Sequence, residues 1–481
     1  MDFKNILKVF ATINIIISLF FLLDIGVAII YHEHYYKFLD FLIIFIAFNA
    51  FIFGMLYKHR VDLKIKGSIL TVNLIWLILG SVGAVPLILY SHINFASAFF
   101  EAISGFTTTG ATIYQDIESL PHMLLFHRSL MHWLGGMGVV VLSVGLLSII
   151  NPSGGLSLFK AEATGISVDK ITPKIKDTAK SLWLVYIVLT LFDTLLLKLF
   201  GMGWFDAINH AFSTISTGGF STKNSSLGFW GGNLAIVWIT TIFMILSGIN
   251  FIAHIKLFND DFSGYKTSEV KWYFIIFFTL SILLTYYYYL NVGNSLTKAS
   301  AHSFFTIASI LTTTGFATTN WATWGAGAVV LVFIAMFIGG NAGSTAGGVK
   351  VIRYVIIFKS VFSELKRAIK PNSMINVFID GSKVTNKVIS SVFVFFFLFL
   401  LTNIGVFLYL LFNGHNTLTS LSAALAVVGN IGPGFGNVDP ASNFAFFSST
   451  EKIVLSIAMI IGRLECFTIF ILFSPSFWKR F

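Results

Sequence analysis

A single cysteine, Cys466, stands among 481 residues, so no disulfide forms within one chain and no thiolate metal cluster can be assembled. Its expected place is that of a small buried apolar residue. Charge is also scarce. Asp, Glu, Lys and Arg make up 11% of the chain, against about 25% in an ordinary soluble domain, which excludes a solvated globule. The apolar runs hold neither an HExxH pair nor paired aspartates, and no nucleophile stands beside a base. That removes an intramembrane hydrolase, whose chemistry needs one of these, and the chain reads as a non-enzyme.

What is abundant is apolar: 56% hydrophobic residues, 53 of them phenylalanine. A membrane-spanning helix needs about 20 such residues in a row. Ten runs qualify, at about 8–31, 38–57, 67–91, 125–150, 181–201, 233–257, 270–291, 325–360 (interrupted), 387–412 and 450–475. The first is too long for a signal peptide and is followed at once by another, so it reads as a retained span.

The net charge of +10 raises the question of nucleic acid, but the basic residues are sorted by loop. Lys4, Lys8, Lys58, Arg60, Lys64 and Lys66 flank the first two spans, Lys160–Lys180 follows the fourth, and Lys350–Lys387 follows the eighth. With ten spans these all fall on one face, which the positive-inside rule assigns to the cytoplasm together with both termini. The excess is thus topological, with anionic membrane lipids as its contacts and no nucleic-acid partner.

Four short polar runs interrupt the apolar sequence: Thr107-Thr108-Thr109-Gly110, Ile215-Ser216-Thr217-Gly218, Thr312-Thr313-Thr314-Gly315 and Gly429-Asn430-Ile431-Gly432. Each follows a segment too short to span, at 95–106, 205–216, 296–311 and 418–428. The unit is span, half-helix, polar strand, span, repeated four times behind a two-helix preface. The expected divisions are 1–62 for the preface and 63–160, 161–262, 263–370 and 371–481 for the repeats. The fold class is an all-α polytopic membrane protein of about ten spans and four pore helices around a central axis.

Non-helical backbone is tolerated at membrane depth only where it is buried in protein or lines a cavity. A half-helix ending there points the negative end of its dipole at the axis, and glycine lets carbonyls turn inward. A ring of such carbonyls replaces the water shell of a dehydrated cation. The filter candidates are Thr108, Thr109, Gly110, Ile215, Ser216, Thr217, Gly218, Thr313, Thr314, Gly315, Asn430, Ile431 and Gly432, with a potassium ion as cargo and no organic cofactor.

The runs SGFTTTGAT (104–112), STGGFS (216–221), LTTTGFAT (311–318), GNIGPGFG (429–436), GGNAGSTAGGVKVIR (339–353) and GRLECFT (462–468) closely resemble the Trk/Ktr/HKT potassium transporter superfamily, in particular its bacterial TrkH/TrkG branch. The resemblance covers essentially the whole chain. It implies a homodimer with one pore per subunit and a filter lined by Gly110, Gly218, Gly315 and Gly432. Gly110 is similar to the potassium-selective pattern, whereas a serine there accompanies sodium transport in plant relatives. The resemblance further implies a cytosolic ring of TrkA-like nucleotide-binding subunits, expected to dock on the basic loops around 160–180 and 350–387. The fourth strand departs from the Thr-Thr-Gly form, so the ring is not truly fourfold.

The eighth run is broken by Gly339-Gly340-Asn341-Ala342-Gly343-Ser344-Thr345-Ala346-Gly347-Gly348. Each glycine costs about 1 kcal/mol in a helix relative to alanine, and the spacing fits no phosphate-binding loop. It is expected to be an intramembrane gate, a role the resemblance supports. Arg463 lies inside the tenth run, where a guanidinium costs at least ~2.5–3.5 kcal/mol; it is expected to face the pore below the filter as an electrostatic barrier. Glu465 cannot pair with it along a continuous helix.

Other polar residues have structural expectations. His32-Glu33-His34 reads as an interfacial loop, His210 and His302 as packing or capping residues, Glu101 and Arg128 as a brace for the first strand, Asp206 as a helix N-terminal charge, and Asp193 and Lys198 as interfacial or mutually compensated. The reading is a channel-like conduit for potassium uptake across the bacterial inner membrane. The alternative is a proton- or sodium-coupled symporter.

Overall fold

The computed structural model describes residues 3–59, 61, 65–150, 175–293, 295–371 and 376–479. The expected boundaries near 62 and 160, and the basic loop 160–180 as far as residue 174, lie outside the described residues. Among those described, six helices are long and apolar enough to cross a bilayer: Phe3–Ile30, Tyr36–Met55, Lys66–Ser91, Ala179–Leu199, Ser268–Val292 and Asn386–Phe412. Helix His122–Ile150 and the interrupted pair Ala326–Met336 and Val351–Ile369 fill two more of the ten expected runs.

The last two differ from expectation. The sixth run is Leu234–Ser247 followed by Phe251–Phe258, bent by 98°, and the tenth is Ser449–Arg463 followed by Phe467–Phe473, bent by 109°. Local chemistry accounts for the first bend. Gly248 ends one helix, and the Asn250 side chain accepts the Ile252 amide to begin the next. In the second, Glu465 and Cys466 both take a left-handed φ, 59° and 58°, which no α-helix accommodates. Arg463 therefore closes a helix rather than lying inside one.

Four short helices stand where half-helices were expected: Phe95–Phe106, Trp204–Ile215, Leu296–Leu311 and Thr417–Val428. Asn94, Ser295 and Asn416 cap three of them by accepting the amides of Ser97, Lys298 and Thr419. The second has Gly203 at its cap and Asp206 in its first turn instead, a negative charge at the positive end of the dipole. These helices are largely buried; every residue of Phe95–Phe106 from Ser97 onward is buried. Around them the spanning helices expose large apolar side chains such as Ile44, Phe48, Leu191, Phe278 and Phe397, as a lipid-facing surface requires.

The preface is tied to the first repeat by buried polar pairs. Asp24 and His127 meet at 2.8 Å with both side chains fully buried, and His127 also reaches the Gly83 carbonyl at 3.0 Å. Glu33 accepts the amides of His122 and Met123 at 2.6 and 2.8 Å, so the His32-Glu33-His34 loop caps the start of helix His122–Ile150. A single hairpin, Phe378–Ile379 against Ser382–Lys383, departs from the all-helical expectation among the described residues.

Candidate ion filter and gate

The four polar runs follow one backbone plan. After each short helix comes a cap residue (Thr107, Ser216, Thr312 or Gly429), then a left-handed residue: Thr108, Thr217, Thr313 or Asn430, with φ of 53°, 53°, 56° and 55°. The next residue returns its amide to the helix, as Thr109 to Ser104 (2.9 Å), Gly218 to Ser213 (2.7 Å), Thr314 to Ser309 (2.8 Å) and Ile431 to Ala426 (2.8 Å). A left-handed glycine closes each strand: Gly110, Gly219, Gly315 and Gly432, with φ of 79°, 84°, 82° and 98°.

This plan corrects one expected position. Gly218 is the counterpart of Thr109, Thr314 and Ile431, and the counterpart of Gly110 is Gly219. The Thr-Thr-Thr-Gly pattern misled because the second strand carries two glycines in succession. Gly218 has no positive φ; a side chain there would collide with the His132 ring. That ring is fixed by the Gly105 carbonyl at Nδ1 (2.7 Å) and the Phe220 amide at Nε2 (3.2 Å).

The four strands close on one another. A Cβ added at Gly110 would strike the Gly218 carbonyl oxygen, one at Gly219 that of Thr314, one at Gly315 that of Ile431, and one at Gly432 that of Thr109. Each closing glycine thus lies against the carbonyl of the next strand, and the fourth returns to the first. Gly110, Gly219, Gly315 and Gly432 also line one vestibule, whose wall includes Asp439.

A different polar device backs each strand. Behind the first, Glu101 accepts from the Thr112 hydroxyl and the Ile113 amide, both at 2.9 Å, and pairs with Arg128 at 2.9 Å. Arg128 donates on to the Ser221 carbonyl at 3.2 Å and lies 4.0 Å from the centre of the Phe220 ring, so the expected brace joins two strands rather than one. In the second strand His210 occupies the position equivalent to Glu101, and Ser221 that of Thr112; they meet at 2.8 Å. His302 contacts Thr318 at 2.9 Å and Ser309 donates to the Phe316 carbonyl at 2.6 Å in the third. Ser422 holds both the amide and the carbonyl of Phe435 in the fourth. Asn430 joins the fourth strand to the first by donating to the Thr109 hydroxyl at 3.0 Å.

Beneath the ring lies the glycine-rich segment 339–348. The Gly347 amide donates to the Thr313 hydroxyl at 2.6 Å, and Thr345 donates to the Ile215 carbonyl at 3.0 Å. The segment therefore touches the second and third strands directly. Arg463 Nη1 donates to the Thr345 carbonyl at 2.9 Å, while Nε and Nη2, both buried, donate to no group among the described residues. Among the described residues Arg463 makes no ion pair with another helix; Glu465 pairs instead with Arg353 at 2.5 Å. Both of the other broken helices meet the segment: at one break the Asn341 amide donates to the Gly248 carbonyl (2.9 Å) and the Phe251 amide to the Gly343 carbonyl (3.1 Å), and Arg463 stands at the other.

One expectation fails on geometry. Asp193 and Lys198 do not compensate each other: Lys198 lies 5.6 Å from the centre of the Trp204 ring, whereas Asp193 is fully buried with no ion-pair partner among the described residues. Sequence reasoning also missed Asp24 and Glu269, each buried at or near a spanning helix; an acid inside an apolar run was the available signal for Asp24.

With this geometry in view, the comparisons decide the family. The family model for TrkH, a cation transport protein, matches residues 34–480. The chain belongs to the TrkH family. It is 36% identical to the Trk system potassium uptake protein TrkH of Escherichia coli K12 over the full length of both, and 34% identical to TrkG of that strain over 96% of each. The crystal structure of the potassium transporter TrkH from Vibrio parahaemolyticus superimposes with a TM-score of 0.90 at 34% identity, covering both chains entirely. TrkH-family members are multi-pass membrane transporters, not enzymes, and this chain shares the fold of that crystal structure.

Proposed function

We propose that this chain carries potassium into the cell across the bacterial cytoplasmic membrane through a channel-like pore. The observation that carries the reading is the closed ring in which each left-handed glycine abuts the next strand's carbonyl. The carbonyls of Thr109, Gly218, Thr314 and Ile431, with the strand residues around them, supply dipoles in place of hydration water, which favours passage over tight capture. The cation enters through the vestibule beside Asp439, and the four short helices turn their negative dipole ends toward it.

Segment 339–348 is the gate, and Arg463 sets its resting state. A guanidinium with two unbonded donor groups beneath the ring repels a descending cation. It also anchors the segment through Thr345. The working unit is a homodimer in a lipid bilayer, each subunit with its own pore and four repeats divided as above. Both termini lie in the cytoplasm, where TrkA-like nucleotide-binding subunits dock on the basic loops; the Trk system naming of the relatives supports a complex of several components.

Single-channel recording from purified protein tests the conduit. Ohmic currents reversing at the potassium equilibrium potential are expected. The second reading, proton- or sodium-coupled symport, is favoured by Asp193, a buried carboxyl with no ion-pair partner among the described residues, of the kind that binds and releases a proton. Flux that needs a proton or sodium gradient and shows no unitary current would establish it instead.

A further inference from the structure

The glycine segment is held from the side as well as from above. Glu269, buried in the first turn of Ser268–Val292, accepts the Ala342 amide at 2.7 Å. The Ile352 amide, in the first turn of Val351–Ile369, also faces this carboxylate, with Lys350 and Arg353 close enough to act on its charge. One acidic side chain on a neighbouring helix therefore holds the segment near its start and lies close to the first turn of the helix that follows it.

The residue before it is held in turn. Ser268 donates its amide at 2.9 Å and its hydroxyl at 2.5 Å to Asp380. Asp380 stands at the tip of the hairpin Phe378–Ile379/Ser382–Lys383, where it and Gly381 take φ of 47° and 75°. Two consecutive left-handed residues make the tight turn whose twist suits a two-residue hairpin, and Asp-Gly is a preferred pair for it. The hairpin is exposed at Asp380 yet anchored by Ile379, which is fully buried. Lys359, on the half-helix beyond the gate, donates to the Phe378 carbonyl at 2.8 Å. The hairpin thus grips the helix that carries Glu269 and the helix that leaves the gate.

We propose that Glu269 is a positioning residue for the glycine segment, and that the Asp380 hairpin on the basic face is the handle through which events outside the membrane set it. The chain of contacts is short: Asp380 to Ser268, one peptide bond to Glu269, and one hydrogen bond to Ala342. Pulling the hairpin away frees the start of Ser268–Val292, withdraws the carboxylate from the Ala342 amide, and leaves the segment held by its contacts to Gly248, Phe251, Ile215, Thr313 and Arg463. The inference rests on the reading of segment 339–348 as a gate.

The test compares Asp380→Ala, Asp380→Asn and Glu269→Ala in the full-length protein, purified and reconstituted in proteoliposomes. Rubidium-86 uptake, the potassium-to-sodium permeability ratio and hydrogen exchange of the peptide covering 339–352 are measured. Asparagine keeps the oxygen that accepts from Ser268, so Asp380→Asn should match the parent. Asp380→Ala and Glu269→Ala should raise uptake severalfold and speed exchange across 339–352, with the permeability ratio unchanged. Unchanged exchange in Asp380→Ala overturns the proposal, and so does a defect in Asp380→Asn equal to that of Asp380→Ala. A protein lacking residues 341–346 serves as the control for the gate. If its uptake rises while that of Asp380→Ala does not, the handle is wrong and the gate stands; if neither rises, the gate reading itself fails.

Discussion

The first and third repeats carry the same Thr-Thr-Thr-Gly strand and differ sharply just beneath it. Their strands are superimposable in plan: Thr107 bonds Thr109 and Thr312 bonds Thr314, both at 2.7 Å, and the left-handed residues fall at matching places. Below the strand, His122–Ile150 continues as one helix through Gly135-Gly136, whereas Ala326–Met336 stops before Gly339-Gly340 and resumes only at Val351. Two adjacent glycines do not by themselves break a helix. At Gly135 the missing side chain lets the helix lie against the Phe106 carbonyl, a close approach that also recurs between Gly462 and Val428. In the third repeat Gly339, Gly343 and Gly348 all take a positive φ, at 85°, 73° and 74°, and a loop results. Glycine serves packing in one repeat and a loop in the other, and the ring above is indifferent to which.

This division gives the predictions an order. The largest effect belongs to the closing glycines. Gly219→Ala places a side chain in the left-handed region, at ~1–2 kcal/mol, and against the Thr314 carbonyl; potassium flux should fall by an order of magnitude or more. Gly218→Ala meets the His132 ring first, so Gly218→Ala with His132→Ala should regain flux that His132→Ala cannot restore to Gly219→Ala. Equal rescue of both would return Gly218 to the position first expected.

Next comes the brace that distinguishes the first two strands. Removing one partner of a buried ion pair costs about 3–5 kcal/mol. Arg128→Leu, which strands Glu101 and releases Ser221, should lower the thermal midpoint in detergent far more than His210→Gln, which perturbs a neutral pair. Comparable losses would mean that the charge at Glu101 and Arg128 adds little to holding the ring.

A smaller effect is expected at the gate. Arg463→Ala removes a cation and the Thr345 contact while leaving the ring untouched. Rubidium flux and open probability should rise at constant potassium-to-sodium ratio. If proteoliposome flux and open probability both stayed at parental levels, Arg463 would have no gating role.

The smallest is Asp193→Asn. The substitution keeps shape and removes the titrating group, so a conduit should carry the same flux at every external pH. Loss of a pH-dependent component would move the account toward coupled transport.

Sequence made the architecture legible because each level repeats. Apolar runs of spanning length, half-length runs and Thr/Gly strands recur in one order, and all four half-helices appear where that order puts them. What escaped was local. The second strand's register slipped by one because Gly218-Gly219 offers two glycines and only backbone angles tell which closes the ring. The bend at Gly248 was available in Gly-Ile-Asn, a helix end followed by a helix cap, but its apolar flanks hid it. The break after Arg463 had no such signal, since Glu465 and Cys466 adopt left-handed angles that neither residue type favours. Glu269 escaped because its role depends on a partner 73 residues away, Ala342.

The central claim concerns the ring itself, and anomalous scattering from crystals grown in rubidium or thallium tests it most directly. The account predicts a peak on the axis among the carbonyl oxygens of Thr109, Gly218, Thr314 and Ile431, lost in Gly219→Ala. A peak beside Asp193, with none on that axis, would contradict it.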